Sequence, residues 1–251
     1  MGTSLVVRAR EAIQTVFGQE QPAARFYLML CIGVYLITVL KGGHFNPLSS
    51  IQPIEALRFG ALGTGANEPW RYLSAMFVHF SAMHILFNMM TLNDLGRLLE
   101  PRIGSGRFLC AFLGTGIAGF IASSLWYEWW GDAWLTAGAS GGLMGLIGVF
   151  IGILRARKDP RWRQILGRVF VYGLIFAIVF PVNNAAHVGG FIAGGGLGFF
   201  FGHEKRALKN TSWYNALATI LVVLSLASIA ASYVSVQQRQ HSETHEPDNP
   251  I

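Results

Sequence analysis

The sequence predicts an all-α polytopic membrane protein, with a six-helix core followed by a seventh C-terminal transmembrane helix. Three observations predict it. Of 251 residues 52% are hydrophobic and only 13% charged, where a soluble domain carries about 25% charged residues. The apolar residues gather into blocks as long as a bilayer-crossing helix, which needs about 17 to 25 residues. Lysine and arginine fall mostly on alternate connections between those blocks, as they do in membrane proteins.

Residues 1–23 are polar and mixed, without an apolar core before a small-residue cleavage site, and read as a cytoplasmic segment. The expected core covers 24–202. Its first span is 24–40. The connection at 41–74 is long and half apolar. Ile51, Ile54, Leu57 and Phe59 predict short helical pieces at the interface, with Trp70 and Tyr72 at headgroup level. The second and third spans are expected at 75–93 and 108–126, and Trp126, Tyr127, Trp129, Trp130 and Trp134 then form an interfacial aromatic group. The fourth span, 138–154, opens at Gly138-Ala139-Ser140-Gly141-Gly142. The fifth and sixth, 166–181 and 185–202, are separated only by Val182, Asn183 and Asn184. Pro181 ends one helix and the asparagines supply turn chemistry, so the pair forms a tight hairpin. A linker and seventh span occupy 203–236, with the span itself at 213–234. The tail from 237 is polar, contains Pro247 and Pro250, and is expected to be disordered.

Charge sets the orientation. With the N-terminus inside, the inner segments hold Arg8, Arg10, Arg25, Arg97, Arg102, Arg107, Arg155, Arg157, Lys158, Arg161, Arg163, Arg168, Lys205, Arg206 and Lys209. That is 15 of the 19 basic residues. The bias predicts a cytoplasmic N-terminus, an outer C-terminus and an odd number of spans. Compact loops and this clean bias point to a bacterial cytoplasmic membrane. The net charge of +6 lies beside the apolar blocks, as topology signals and anionic-lipid contacts do, so the lipid bilayer and not nucleic acid is the expected partner. Cys31 and Cys110 fall inside apolar blocks without metal-type spacing and read as packing residues.

Hydrocarbon disfavours polar and ionisable groups, so those inside the spans call for an explanation. Spans two, four and six run the same way, from outside to inside. His84 and Asn88 lie near the middle of span two, and Ser140 and His187 about a turn into spans four and six. At about 1.5 Å per residue these positions cluster in the outer half of the bilayer. Gly141 and Gly145 share a face of span four, and His187, Gly190, Gly194 and Gly198 share one of span six. Such small-residue faces let helices approach closely. If the two faces meet, His187 is directed at Ser140.

A serine hydroxyl becomes nucleophilic when a base accepts its proton, and neutral imidazole serves near pH 7. His84 and Asn88, a turn apart, can donate hydrogen bonds, with the Ser140 backbone N–H, to an oxyanion. Asp94 and Glu100 lie toward the inner side and Asp132 in a loop, so no carboxylate completes a triad. His44 and His79 are expected near the outer interface, outside the chemistry. The G-x-S-x-G pattern at 138–142 lacks the β-strand of a nucleophile elbow. No H-E-x-x-H motif and no pair of mid-span aspartates occurs. Neither a metal nor a cofactor is expected.

These residues resemble the rhomboid family of intramembrane serine proteases. The similarity is carried by G-A-S-G at 138–141, A-H-x-x-G-x-x-x-G at 186–194, His84-x-x-x-Asn88, Trp70-Arg71, and Glu100-x-Arg102 with Gly104. It covers about residues 25–202, and the extra helix resembles the six-plus-one rhomboid arrangement. The resemblance implies a serine endopeptidase with Ser140 as nucleophile, His187 as general base and an oxyanion site from His84, Asn88 and the Ser140 backbone. Trp70, Arg71, Glu100 and Arg102 would be structural, holding the first outer loop and the inner end of span two. Gly138, Gly141, Gly190 and Gly194 belong to the same motifs. The implied partners are transmembrane protein substrates, cleaved near their outer ends after a small residue. One position departs from the pattern. Many rhomboids carry an aromatic residue four positions after the nucleophile, where this chain has Met144, a substrate-pocket position that removes a stacking partner for His187. The alternative function is a catalytically silent rhomboid-like protein that binds client membrane helices.

Overall fold

The computed structural model describes residues 21–42, 50–63, 67–131, 134–179, 182–204 and 212–245. Helix α1 (Pro22–Lys41) begins with proline, whose missing N–H costs nothing in a first turn. Helix α2 (Pro53–Phe59) also begins with proline and stops at Gly60, whose φ of 118° lies in the left-handed region. Strand β1 (Leu62–Gly63), helix α3 (Arg71–Ser74) and a 3-10 turn at Ala75–Phe77 follow. Helix α4 (Ala82–Ile103) and helix α5 (Ser105–Trp130) are joined by Gly104 alone. Strand β2 (Leu135–Thr136) pairs antiparallel with β1 through Leu62↔Thr136 and Gly63↔Leu135. Helices α6 (Ser140–Ala156), α7 (Arg161–Val179), α8 (Asn184–His203) and α9 (Ser212–His245) complete the order.

Helix α6 lies at the centre, with Leu146, Val149 and Ile153 buried. Its glycine face meets that of α8. A Cβ on Gly194 would run into the Gly145 carbonyl, one on Gly190 into Gly141 and one on Gly198 into Val149. The hydrogen on each Cα is what allows the backbones to touch. Helix α7, by contrast, leaves Phe170, Tyr172, Ile175 and Ile178 exposed, an apolar surface suited to lipid.

At the end opposite the β-ribbon, the Glu100 carboxylate accepts hydrogen bonds from Ala23 N–H (2.9 Å), Ala24 N–H (3.0 Å) and the Ser105 hydroxyl (2.6 Å). It caps α1 and fastens α1, α4 and α5 together. Arg107 pairs with Glu204 at 2.6 Å and lies over the Tyr214 ring, joining α5 to the end of α8 and the start of α9. Helix α9 packs through a serine seam. Ser225 meets the Tyr27 hydroxyl at 3.3 Å, Ser232 meets Ser74 at 3.2 Å, and Ser235 accepts from Arg71 Nη2 at 3.3 Å.

Two expectations change. The stretch expected as span two at 75–93 is broken: the 3-10 turn gives way to extended chain, and α4 starts only after Ser81, whose hydroxyl accepts from His84 N–H at 3.2 Å. The two helical pieces are bent by 95°. Hydropathy misplaced the boundary because Met76, Phe77 and Val78 are buried in protein rather than lipid. The tail expected to be disordered from 237 is helical as far as His245. Arg239 and Gln240 on it bond Glu68 and Arg58 of the first loop, which fixes the extension; Pro247 and Pro250 lie outside the described residues. Among the described residues α1, α5, α8 and α9 are long and apolar enough to cross a membrane, and α3 with α4 makes a fifth, broken span. Helix α6 is apolar but has 17 residues, and α7 opens with Arg161, Arg163 and Arg168. The molecule is a helical, multi-pass integral membrane protein.

Candidate active site

Ser140 is the first residue of α6, not a turn inside it. The turn before it is fastened to the broken span. Gly138 N–H donates to the Ala75 carbonyl at 2.8 Å, and Ala139 N–H to His79 Nε2 at 3.4 Å. Gly138 has a φ of 122°, and a Cβ there would stand 2.7 Å from His84 Nε2. Both the backbone conformation and the close approach of the imidazole therefore require glycine.

His187 sits in the first turn of α8, which Asn183 caps by accepting from Ala186 N–H at 3.0 Å. The Asn183 amide also donates to Ser123 Oγ (2.6 Å) and Thr136 Oγ1 (2.9 Å). The start of α8 is thus tied to α5 and to the strand preceding Ser140. With the backbone fixed from both sides, His187 Nε2 and Ser140 Oγ stand 2.8 Å apart. A neutral imidazole with its proton on Nδ1 can accept the serine hydroxyl proton at that distance.

His84 lies in the first turn of α4 rather than mid-span. Phe80 N–H donates to its Nδ1 at 3.3 Å. Since an N–H can only donate, neutral His84 carries its proton on Nε2, the atom facing the Gly138 turn. Asn88, a turn further along, is buried, and its Nδ2 donates to the His84 carbonyl at 2.7 Å. One of its two amide hydrogens is thereby taken by its own helix. Met144 lies one turn beyond Ser140 on α6 and is half-buried.

Arg71 is 1% exposed and holds the first loop. Its Nε donates to Glu68 at 2.5 Å and its Nη1 to the carbonyls of Leu57 (2.6 Å) and Ala61 (3.0 Å). Trp70, half-buried, is the N-cap residue before α3. Arg102 departs from expectation. It is exposed and bonds the Leu98 carbonyl of its own helix, so Glu100 alone of that pair joins elements. Gly141 and Gly190 meet on the α6–α8 face, as do Gly194 and Gly145.

Two positions were undervalued by the sequence. His79, expected at the interface, is fully buried with its ring centroid 5.0 Å from that of His84. Its Nδ1 lies 3.3 Å from the Phe77 carbonyl. A carbonyl only accepts, so Nδ1 carries the proton and Nε2 accepts from Ala139. No sequence signal identifies a histidine that clasps a backbone 60 residues away. Asn183 carried a signal, an asparagine directly before an apolar helix, but its cross-links depend on tertiary contact. His44 lies outside the described residues.

The Rhomboid domain family model matches residues 66–204. The chain is 27% identical to rhomboid protease GluP of Bacillus subtilis, over 96% of the chain and 46% of that protein. It is 31% identical to rhomboid protease GlpG of Klebsiella pneumoniae, over 68% of the chain and 60% of the relative. RHOMBOID-like protein 1 of Arabidopsis thaliana is also 31% identical, over 62% of the chain and 41% of its own length. The chain spans about half the length of the curated relatives it matches.

Proposed function

We infer from the rhomboid family, to which this chain belongs by the domain matched over residues 66–204, that it is an intramembrane serine endopeptidase. It hydrolyses peptide bonds in or near transmembrane helices of membrane-protein substrates. The observation that carries this reading is the 2.8 Å separation of Ser140 Oγ and His187 Nε2 on two glycine-packed helices. Its relatives named as proteases support the same class of reaction.

In this reading His187 accepts the Ser140 proton as Oγ attacks the scissile carbonyl carbon. The oxyanion that forms is met by the Ser140 N–H, His84 Nε2–H and the remaining Asn88 amide hydrogen. Collapse of the intermediate breaks the C–N bond, and the His187 imidazolium returns its proton to the leaving amine. Water then attacks the acyl-serine with His187 as base, releasing the acid and restoring the serine. The placement of the site in the outer half of the bilayer and its outward opening rest on the charge bias. So do a cytoplasmic N-terminus, a six-span core over 24–202 with α9 as the seventh span, and a bacterial cytoplasmic membrane.

A tagged single-span substrate presented to wild type, Ser140→Ala and His187→Ala tests the reading. Cleavage by wild type alone supports it; equal cleavage by all three overturns it. Labelling by a serine-directed fluorophosphonate, lost in Ser140→Ala, separates a protease from a silent helix-binding relative without knowledge of the substrate.

A further inference from the structure

Helix α9 reaches the first outer loop at both ends of α3, and none of the reaction steps uses it. Arg71, the first residue of α3, is 1% exposed and donates to four acceptors. Its Nε donates to Glu68, its Nη1 to the carbonyls of Leu57 and Ala61, and its Nη2 to Ser235 Oγ of α9 at 3.3 Å. The Ser235 oxygen is open to that bond because its own proton goes to the Ser232 carbonyl at 2.9 Å. Arg239 of α9 stands 3.3 Å from the same Glu68. At the other end of α3, Ser74 and Ser232 are both fully buried, with their hydroxyl oxygens 3.2 Å apart.

Two routes lead from α3 to the turn before Ser140. Ala61, whose carbonyl Arg71 holds, is followed by Leu62, which pairs with Thr136 on β2. Ser74 is followed by Ala75, whose carbonyl accepts from Gly138 N–H at 2.8 Å. A buried guanidinium has only donors, and one that loses an acceptor moves to find another. The Leu57 and Ala61 carbonyls it holds then move with it. We propose that α9 positions the nucleophile, with Ser235 as a positioning residue that acts through Arg71 on the turn before Ser140. The proposal rests on the protease reading. Ser235 touches no reacting atom, so it acts on the geometry of attack and leaves substrate contacts unchanged.

The test uses the full chain in vesicles with a cleavable single-span substrate. Ser235→Ala should lower kcat about threefold to tenfold with KM within about twofold, since small misplacements of reacting groups are costly. Ser235 is half-buried on a helix, where alanine is well accommodated, so the variant folds. Ser235→Thr keeps the acceptor and should restore the rate. Ser228→Ala is the control: it removes a buried hydroxyl of the same helix that bonds the Ser225 carbonyl, and kcat should stay at the wild-type value. Wild-type kcat in Ser235→Ala overturns the proposal. So does an equal loss in Ser228→Ala, a loss confined to KM, or a loss that Ser235→Thr does not recover. Hydrogen exchange of the Gly138 and Ala139 amides reads the same link without catalysis. Both should exchange faster in Ser235→Ala than in wild type or Ser228→Ala, and unchanged exchange overturns the proposal. Faster exchange in Ser235→Ala, with no cleavage by wild type, leaves the hold of α9 on the turn standing and removes the protease.

Discussion

Gly194 on α8 lies against the backbone of Gly145 on α6 so closely that a methyl group at Gly194 would overlap the Gly145 carbonyl. The contact recurs at Gly190 with Gly141, immediately beside the serine, and at Gly198 with Val149. The separation of Ser140 and His187 is therefore set by where two backbones touch, and side-chain reach contributes little.

Gly194→Ala should lower both stability and cleavage, the former by about 1 to 3 kcal/mol, the usual cost of forcing a methyl into a packed contact. Gly196→Ala is the matched control, since a Cβ there meets nothing within 4 Å. Thermal melting in detergent together with substrate cleavage checks the pair. Equal melting temperatures for the two variants would remove the glycine face as the determinant.

His79 positions the turn before Ser140 without reaching the reacting atoms. His79→Ala should reduce kcat about tenfold with KM within about twofold, because a small displacement of the nucleophile is costly while substrate contacts persist. His79→Gln, whose amide oxygen can still accept from Ala139, should recover part of that loss. Kinetics of the three proteins decide it. A change confined to KM would contradict a positioning role.

Asn88→Ala should lower kcat about a hundredfold, the scale seen when an oxyanion donor is removed. The present Asn88 hydrogen bond is to its own helix, so the melting temperature should stay near wild type. Fluorophosphonate labelling should slow in parallel with turnover. Unchanged turnover would leave Asn88 a helix residue only.

Glu68 adds a pH dependence. Burial pushes its carboxyl up, but hydrogen bonds from Arg71 and Ser235 and the charges of Arg71 and Arg239 outweigh it and hold the group below the ordinary carboxylate value. A carboxyl depressed in the folded state stabilises it above the unfolded value, and that contribution is lost as pH falls through the folded one. Wild type should therefore melt higher than Glu68→Gln at neutral pH, and the gap should close in acid below the ordinary carboxylate range. Melting curves across pH measure it; a constant gap would show that Glu68 acts by shape alone.

Much of this was legible from the residues. Apolar block length marked the long helices α1, α5, α8 and α9, since hydrocarbon admits few other solutions. The glycine spacing on α6 and α8 foretold their contact, because a helical face is a local property of sequence. The 95° bend before α4 was not legible: Met76, Phe77 and Val78 are as apolar as a span, and only their burial against other helices distinguishes them. Arg102 and Glu100 looked equivalent in the sequence, yet Glu100 alone finds the N-terminus of α1.

The sequence by itself determined the membrane class, the serine and histidine as the polar pair needing explanation, and the small faces on which they lie. These follow from composition and from spacings within single helices. The tertiary structure alone decided that His79 clasps the turn before Ser140, that Asn183 ties α8 to the strand leading into that turn, and that α9 extends to hold the first loop. Each of these joins residues far apart in the chain through directional hydrogen bonds, which exist only once distant backbones have been brought into register.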